Sequence, residues 1–170
     1  MIRVVMFDLG DTLIWKNPQG AYETFPQVTS TLAALGETKC ADGTPLLMAL
    51  VSDYERATNP QDVLSKFTKF LGILKDVHLV EYFQPVDQRV TLSTHAGVTK
   101  PDPKVFELAL QRLGIKAPFS ECLFITENSL HIRACKSLGM GTLQFGLPEQ
   151  AGGFPHWNDA FRIISGSVSP

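Results

Sequence analysis

The 170 residues carry a formal charge of −2, with 44% hydrophobic and 19% charged side chains, an ordinary globular composition that fits one domain. This balance excludes a broadly basic surface for nucleic acid, and no apolar run approaches the ~18 residues of a membrane helix. The opening MIRVVMFDLG is too short and too early acidic for a signal peptide, and Cys40, Cys122 and Cys135 fall outside any CxxC or Cys/His ligand pattern. Reduced thiols in a soluble, cytoplasmic protein are therefore expected.

Ile2–Phe7 is rich in β-branched residues, ends in a polar, glycine-containing turn and reads as a buried strand. A helical pattern covers Phe25–Leu35. Leu46–Val51 reads as a second strand that runs into Ser52-Asp53, and Val90–Leu92 as a shorter third. Asp102-Pro103 supplies an N-cap and first position for a helix with Phe106, Ala109, Leu110 and Leu113 as its apolar stripe and Gly114 as its stop. Cys122–Ile125 is the next strand, a helix from about Ser129 to Leu138 stops at Gly139, and Thr142–Phe145 is a further strand. Gly146–Pro155 reads as a connecting loop. Trp157, Phe161 and Ile164 then form the buried face of a closing helix. The alternation predicts an α/β fold: a doubly wound, mostly parallel, Rossmann-like sheet flanked by helices. It is read as one catalytic core domain over 1–170, with 146–170 as closing loop and helix.

In such sheets ligands bind beyond the carboxyl ends of the strands. Asp8, Ser52 and Glu127 follow strands directly, and Lys100 lies on a loop before a helix. A carboxylate at position 8 can attack a phosphoryl group and form an aspartyl-phosphate. The phosphoryl group brings about two negative charges to that carboxylate, so the site needs a cation and further donors. Lys100 supplies a fixed positive charge, Ser52 a hydroxyl, and Asp8 with Glu127 two oxygen ligands for Mg²⁺. Taken alone, Asp8 equally fits an Asx turn at a strand end.

Together these segments resemble the haloacid dehalogenase superfamily, most closely its small phosphatases and the β-phosphoglucomutase-like group. FDLGDTL resembles the first motif, with Asp8 at the nucleophile position and Thr12 at the position that steadies the turn. LMALVSD places Ser52 at the second motif, and GVTKPDPKVFELAL places Lys100 at the third. FITENSLHIRACKSLGM resembles the fourth, with Gly139-Met140 setting its register. The resemblance spans residues 1 to about 146. It implies a Mg²⁺-dependent phosphatase acting on phosphate esters or anhydrides, with Asp8, Glu127 and the Gly10 backbone carbonyl holding the metal. Ser52, Lys100 and Thr12 are then at the substrate.

The sequence departs from that pattern in three places. The family's phosphatases carry an Asp as general acid two residues after the nucleophile, where this chain has Gly10. Asp11, one place further on, is the candidate proton donor, set against a turn or capping role because successive extended residues face opposite ways. Gly10 itself is read as a position that can require φ > 0. Thr126-Glu127 replaces the usual acidic pair, leaving Asp8 and Glu127 as the carboxylates for Mg²⁺. Nearby His131 reads as a helix-flank histidine rather than a ligand, since hard Mg²⁺ prefers oxygen. Finally, the interval from Asp8 to Ser52 has no room for a helical cap. An open site of that kind goes with large phosphorylated substrates or with a neighbouring subunit as lid, in a homo-oligomer.

Trp15 and Lys16 read either as the pocket rim or as an exposed pair, and His78, His95 and His156 as structural. Besides phosphate hydrolysis, two other functions are weighed: carbon–halogen cleavage, which needs neither Mg²⁺ nor a general acid and so fits Gly10 but in the relatives that perform it relies on a cap absent here, and a binding or regulatory protein on a catalytically impaired scaffold.

Overall fold

A computed structural model describes residues 1–168. Six parallel strands form one sheet in the order β5-β4-β1-β6-β7-β8: β1 (Val4–Phe7), β4 (Leu47–Ser52), β5 (Val90–Leu92), β6 (Cys122–Thr126), β7 (Gly141–Phe145) and β8 (Gly153–Phe154). A separate antiparallel hairpin joins β2 (Ile14–Lys16) to β3 (Tyr22–Thr24). The helices are α1 (Val28–Gly36), α2 (Pro60–Asp76), the single turns α3 (Val86–Arg89) and α4 (Ser93–Ala96), α5 (Pro103–Arg112), α6 (Ser129–Ser137) and α7 (Trp157–Val168).

The sheet divides two cores because strand side chains alternate between its faces. Val5, Phe7, Met48, Leu50 and Leu123 meet α1, α2 and α7 on one side. Val4, Met6, Ala49, Val51 and Phe124 meet α5 and α6 on the other. With both faces covered, the central strands read as continuous apolar runs instead of alternating ones. Strand β1 lies between β4 and β6, so Asp8, Ser52 and Glu127 leave the same edge of the sheet.

The expected α/β, doubly wound, parallel architecture is therefore present, with elements the sequence reading passed over. The longest of them is the 17-residue α2. Its signals are ordinary: Asn59 accepts from the Asp62 N–H, Pro60 opens the helix, and Phe67, Phe70 and Leu74 face the core. The segment 146–155 also contains β8, where Gly153 is required, because a Cβ there would collide with the Gln144 carbonyl. In α7 the buried stripe is Trp157, Ala160, Ile164 and Val168, while Phe161 is 40% exposed. Ile163 is buried as well, so the buried face turns toward 160 and 163 and position 161 falls at its margin. No helix among the described residues is long and apolar enough to cross a membrane.

Candidate active site

Asp8 sits one residue beyond β1, and its N–H still donates to the Ile125 carbonyl of β6 at 2.9 Å. The side chain is thereby fixed between two central strands. Its Oδ1 accepts from the Leu9 N–H at 2.9 Å and from the Lys100 ammonium in close contact, and its Oδ2 accepts from the Thr126 hydroxyl at 2.9 Å. Burial pushes the Asp8 pKa up. The His131 imidazole, the Lys100 charge and the Thr126 hydroxyl outweigh that effect and hold it below the usual carboxylate range.

Lys100 is only 6% exposed. Its ammonium also donates to the Val51 carbonyl at 3.0 Å, and its own N–H donates to Asp53 Oδ1 at 2.9 Å. Although it lies on a loop before a helix, as the sequence indicates, Lys100 is a buried half of an ion pair. Removing one partner of such a pair costs about 3–5 kcal/mol, because the other charge stays buried and alone. Lys100→Met is thus expected to lower Tm markedly, and Asp8→Asn/Lys100→Met to recover much of the loss. A double variant as unstable as the sum of its singles, read by calorimetry, would contradict the pairing.

The first loop winds around one carbonyl. Leu9 C=O accepts from the N–H groups of Thr12, Leu13 and Ile14 at 3.3, 2.9 and 3.1 Å. Within this turn it is Asp11, not Gly10, that takes the left-handed conformation, with φ +54°. A Cβ built on Gly10 meets nothing within 4 Å. The idea that Gly10 is needed for φ > 0 is therefore corrected. Asp is among the residues that tolerate this region, because its short side chain can bond locally. Asp11 is exposed, and its carboxylate makes no hydrogen bond among the described residues.

Thr12 is fully buried and ties the first loop to the fourth motif. Its hydroxyl donates to Glu127 Oε2 at 2.6 Å and accepts the Glu127 N–H at 3.1 Å. Two further residues to which the sequence reading gave no part in the site complete this anchoring. Gln144 donates to the Glu127 carbonyl at 2.9 Å, and the Trp157 indole N–H to the Thr12 carbonyl at 2.8 Å. No local motif marks either residue; only the pairing of distant segments gives them a role. Thr126 has one hydroxyl proton for two acceptors, Asp8 Oδ2 at 2.9 Å and Glu127 Oε2 at 3.2 Å.

His131 does not lie on an outer helix flank as expected. Asn128 caps α6, accepting from the N–H groups of Leu130 and His131, and this first turn brings the imidazole into the site. Its side chain is 14% exposed and Nδ1, buried without a hydrogen-bond partner, stands 3.9 Å from Asp8 Oδ2. His95 is structural, as expected: its Nδ1 accepts the Leu92 N–H at 3.0 Å, and burial, with a smaller push from Arg112, lowers its pKa to about 4.

Ser52 ends β4, and its hydroxyl makes only a 3.3 Å bond to the Asp53 carbonyl. It opens with Gly10 and Asp53 onto a 120 Å³ cavity walled by Tyr22, Phe70 and Ile73. Trp15 and Lys16 do not line this cavity. Trp15 packs against Phe25 at 6.5 Å, and Lys16 covers the Tyr22 ring at 5.6 Å.

Among the described residues no three His, Cys, Asp or Glu side chains gather into a metal cluster. The Thr126 hydroxyl meets Oδ2 and also Glu127 Oε2, which brings the second carboxylate to the same side of Asp8. A set with two carboxylates and neutral oxygens suits Mg²⁺, which keeps several waters in its shell. The orphaned His131 Nδ1 beside Oδ2 agrees with that, since it leaves a buried polar group at the site with no partner from the protein.

No family model matches the chain. Over 75 residues, 42% of the chain, it is 36% identical to acyl-CoA dehydrogenase family member 10 of Mus musculus, but this stretch spans only 7% of that protein. Among solved structures, the L-2-haloacid dehalogenase of Xanthobacter autotrophicus matches with a TM-score of 0.68 and 14% identity, over 98% of this chain and 99% of that one. A β-phosphoglucomutase candidate of Thermotoga maritima matches at 0.66 and 14% identity, over 97% and 99%. A magnesium-bound HAD hydrolase candidate, YfnB of Bacillus subtilis, matches at 0.61 and 13% identity, over 83% of this chain and 56% of that one. The parallel sheet flanked by helices accords with these matches: the chain has the fold of the haloacid dehalogenase superfamily.

Proposed function

We propose that the protein is a Mg²⁺-dependent phosphohydrolase that works through an aspartyl-phosphate on Asp8. The observation that carries this reading is the buried Lys100 ammonium against Asp8 Oδ1, at the same edge of the sheet where Ser52 and Gly10 line a cavity. Asp8 is held ionised, as a nucleophile must be, and Lys100 offsets the repulsion between it and an incoming phosphate. One Asp8 oxygen bonds to phosphorus while the leaving oxygen departs with the P–O electron pair. Ser52, free to exchange its long bond to Asp53, donates to a phosphoryl oxygen. Water then cleaves the acyl phosphate, releasing inorganic phosphate and restoring the Asp8 carboxylate. Asp8, Glu127 and the Gly10 carbonyl would hold Mg²⁺, whose contribution is to neutralise charge on the phosphoryl oxygens. With no acidic side chain at position 10, the reading favours acyl and aryl phosphates, whose leaving groups need no proton. Large phosphorylated substrates, or a second copy of the chain as lid, belong to the same reading.

Glu127 tests the cation. Thr12 holds its carboxylate in place, so Glu127→Gln changes charge and little else. Turnover of an aryl phosphate by the wild type should need millimolar Mg²⁺, and Glu127→Gln should raise that requirement about ten-fold or more. A second reading, displacement at carbon without a cation, is favoured by one observation: a neutral Thr126 hydroxyl, not a second carboxylate, meets Oδ2. Full turnover in excess chelator would select it.

A further inference from the structure

A larger cavity, of 390 Å³, shares Tyr54 with the one that Ser52 and Gly10 line. The loop after β4 and the segment from Ser93 to Thr99 form its walls, and Thr99 directly precedes Lys100. The two walls are stapled together. Ser93 Oγ accepts from the Tyr54 N–H at 2.8 Å and bonds to its carbonyl at 3.1 Å, Thr94 Oγ1 donates to the Glu55 carbonyl at 2.7 Å, and Asp53 Oδ1 accepts the Lys100 N–H. The cavity is therefore preformed, and the Asp53 bond that ties its two walls together also holds the Lys100 backbone.

Its charged lining residue is Arg56. The carbonyl of Arg56 is held by the Lys66 ammonium, which pairs with Asp62 at 3.1 Å and approaches Glu55 at 3.9 Å. Arg56 itself makes no ion pair among the described residues. The nearby cations are therefore spoken for and this guanidinium is not. An arginine whose planar fork has no protein carboxylate is suited to a carboxylate or phosphate from elsewhere.

We propose that this cavity is a substrate subsite in which Arg56 receives a second anionic group, a carboxylate or a phosphate, carried on the part of the substrate away from the reacting phosphoryl group. The inference rests on the catalytic reading of Asp8 and adds the substrate class: phosphorylated compounds bearing a second negative charge.

Calorimetric titration with three phosphonates that cannot be hydrolysed tests it: phenylphosphonate, a carboxyphenylphosphonate and a phenylene bisphosphonate. At least one doubly charged probe should bind the wild type about ten-fold tighter than phenylphosphonate, the worth of one charge-assisted bond. Which one does so tells carboxylate from phosphate. In Arg56→Ala the ratio between the probes should fall to about one, and Arg56→Lys should keep part of it. Equal affinities in the wild type, a ratio that survives Arg56→Ala, or no binding of any probe overturns the subsite. Turnover is scored separately: discrimination among phosphonates without any phosphatase activity would retain the anion site and sink the catalytic reading, and activity without discrimination would do the reverse.

Discussion

Asp8→Asn protein should show no turnover of any phosphate ester or anhydride and form no phosphoryl or beryllofluoride adduct, whereas the wild type should form its adduct at Asp8. The amide removes the nucleophile while keeping nearly the same shape, and loss of a covalent catalyst's nucleophile leaves only what binding and electrostatics supply. The substitution also leaves the Lys100 ammonium facing a neutral amide, so activity has to be compared well below the lower Tm. Mass spectrometry of the trapped protein locates the adduct. An adduct on another residue, or undiminished turnover by Asp8→Asn, would remove Asp8 from the mechanism.

The second large effect concerns the leaving group. General-acid help is worth about 10²–10⁴-fold when the departing oxygen is strongly basic. With Gly10 at the place of the acid, the wild type should hydrolyse acyl and aryl phosphates and leave alkyl phosphates nearly untouched. The loop geometry then suggests exchanging the two neighbours. Gly10→Asp adds a Cβ where nothing stands within 4 Å, and Asp11→Gly relieves a side chain at φ +54°. Gly10→Asp/Asp11→Gly should raise alkyl phosphate turnover by about 10² or more and change aryl phosphate turnover little. Asp11→Asn is the control. If it abolishes an alkyl activity of the wild type, Asp11 is the acid. Brisk wild-type alkyl activity that survives Asp11→Asn would refute the whole account of position 10.

Much of the scaffold is legible because its signals are local. The apolar runs that become β1, β4 and β6 need only a window of a few residues, and the Asp102-Pro103 cap and Gly114 stop delimit α5 to within a residue or two. Strand ends then place Asp8, Ser52 and Glu127 along one edge without any side-chain detail. What the sequence hides is non-local. Lys100 looks like a loop lysine, since its burial depends on Val51, Asp53 and Phe124, all far from it in the chain. His131 turns inward only because the Asn128 cap fixes where α6 begins. Which of Gly10 and Asp11 bears the positive φ is decided by three N–H groups converging on the Leu9 carbonyl, which no residue-type preference encodes. The helix α2 is a different case: its cap and stripe are readable, and attention to the motifs passed them by.

The indole hydrogen bond from Trp157 to Thr12 joins residues 145 positions apart. In a deep mutational scan scored on phosphatase signal, substitutions along the inner stripe of α7 should therefore cluster with those at Thr12 and Glu127. A map built from fitness alone would draw the active site too wide, extending it along a helix whose contribution is to hold a loop still. Scoring abundance alongside activity would separate the groups: variants at Trp157 that fold normally should lose function through metal affinity, whereas those at Ile164 should simply disappear from the soluble fraction.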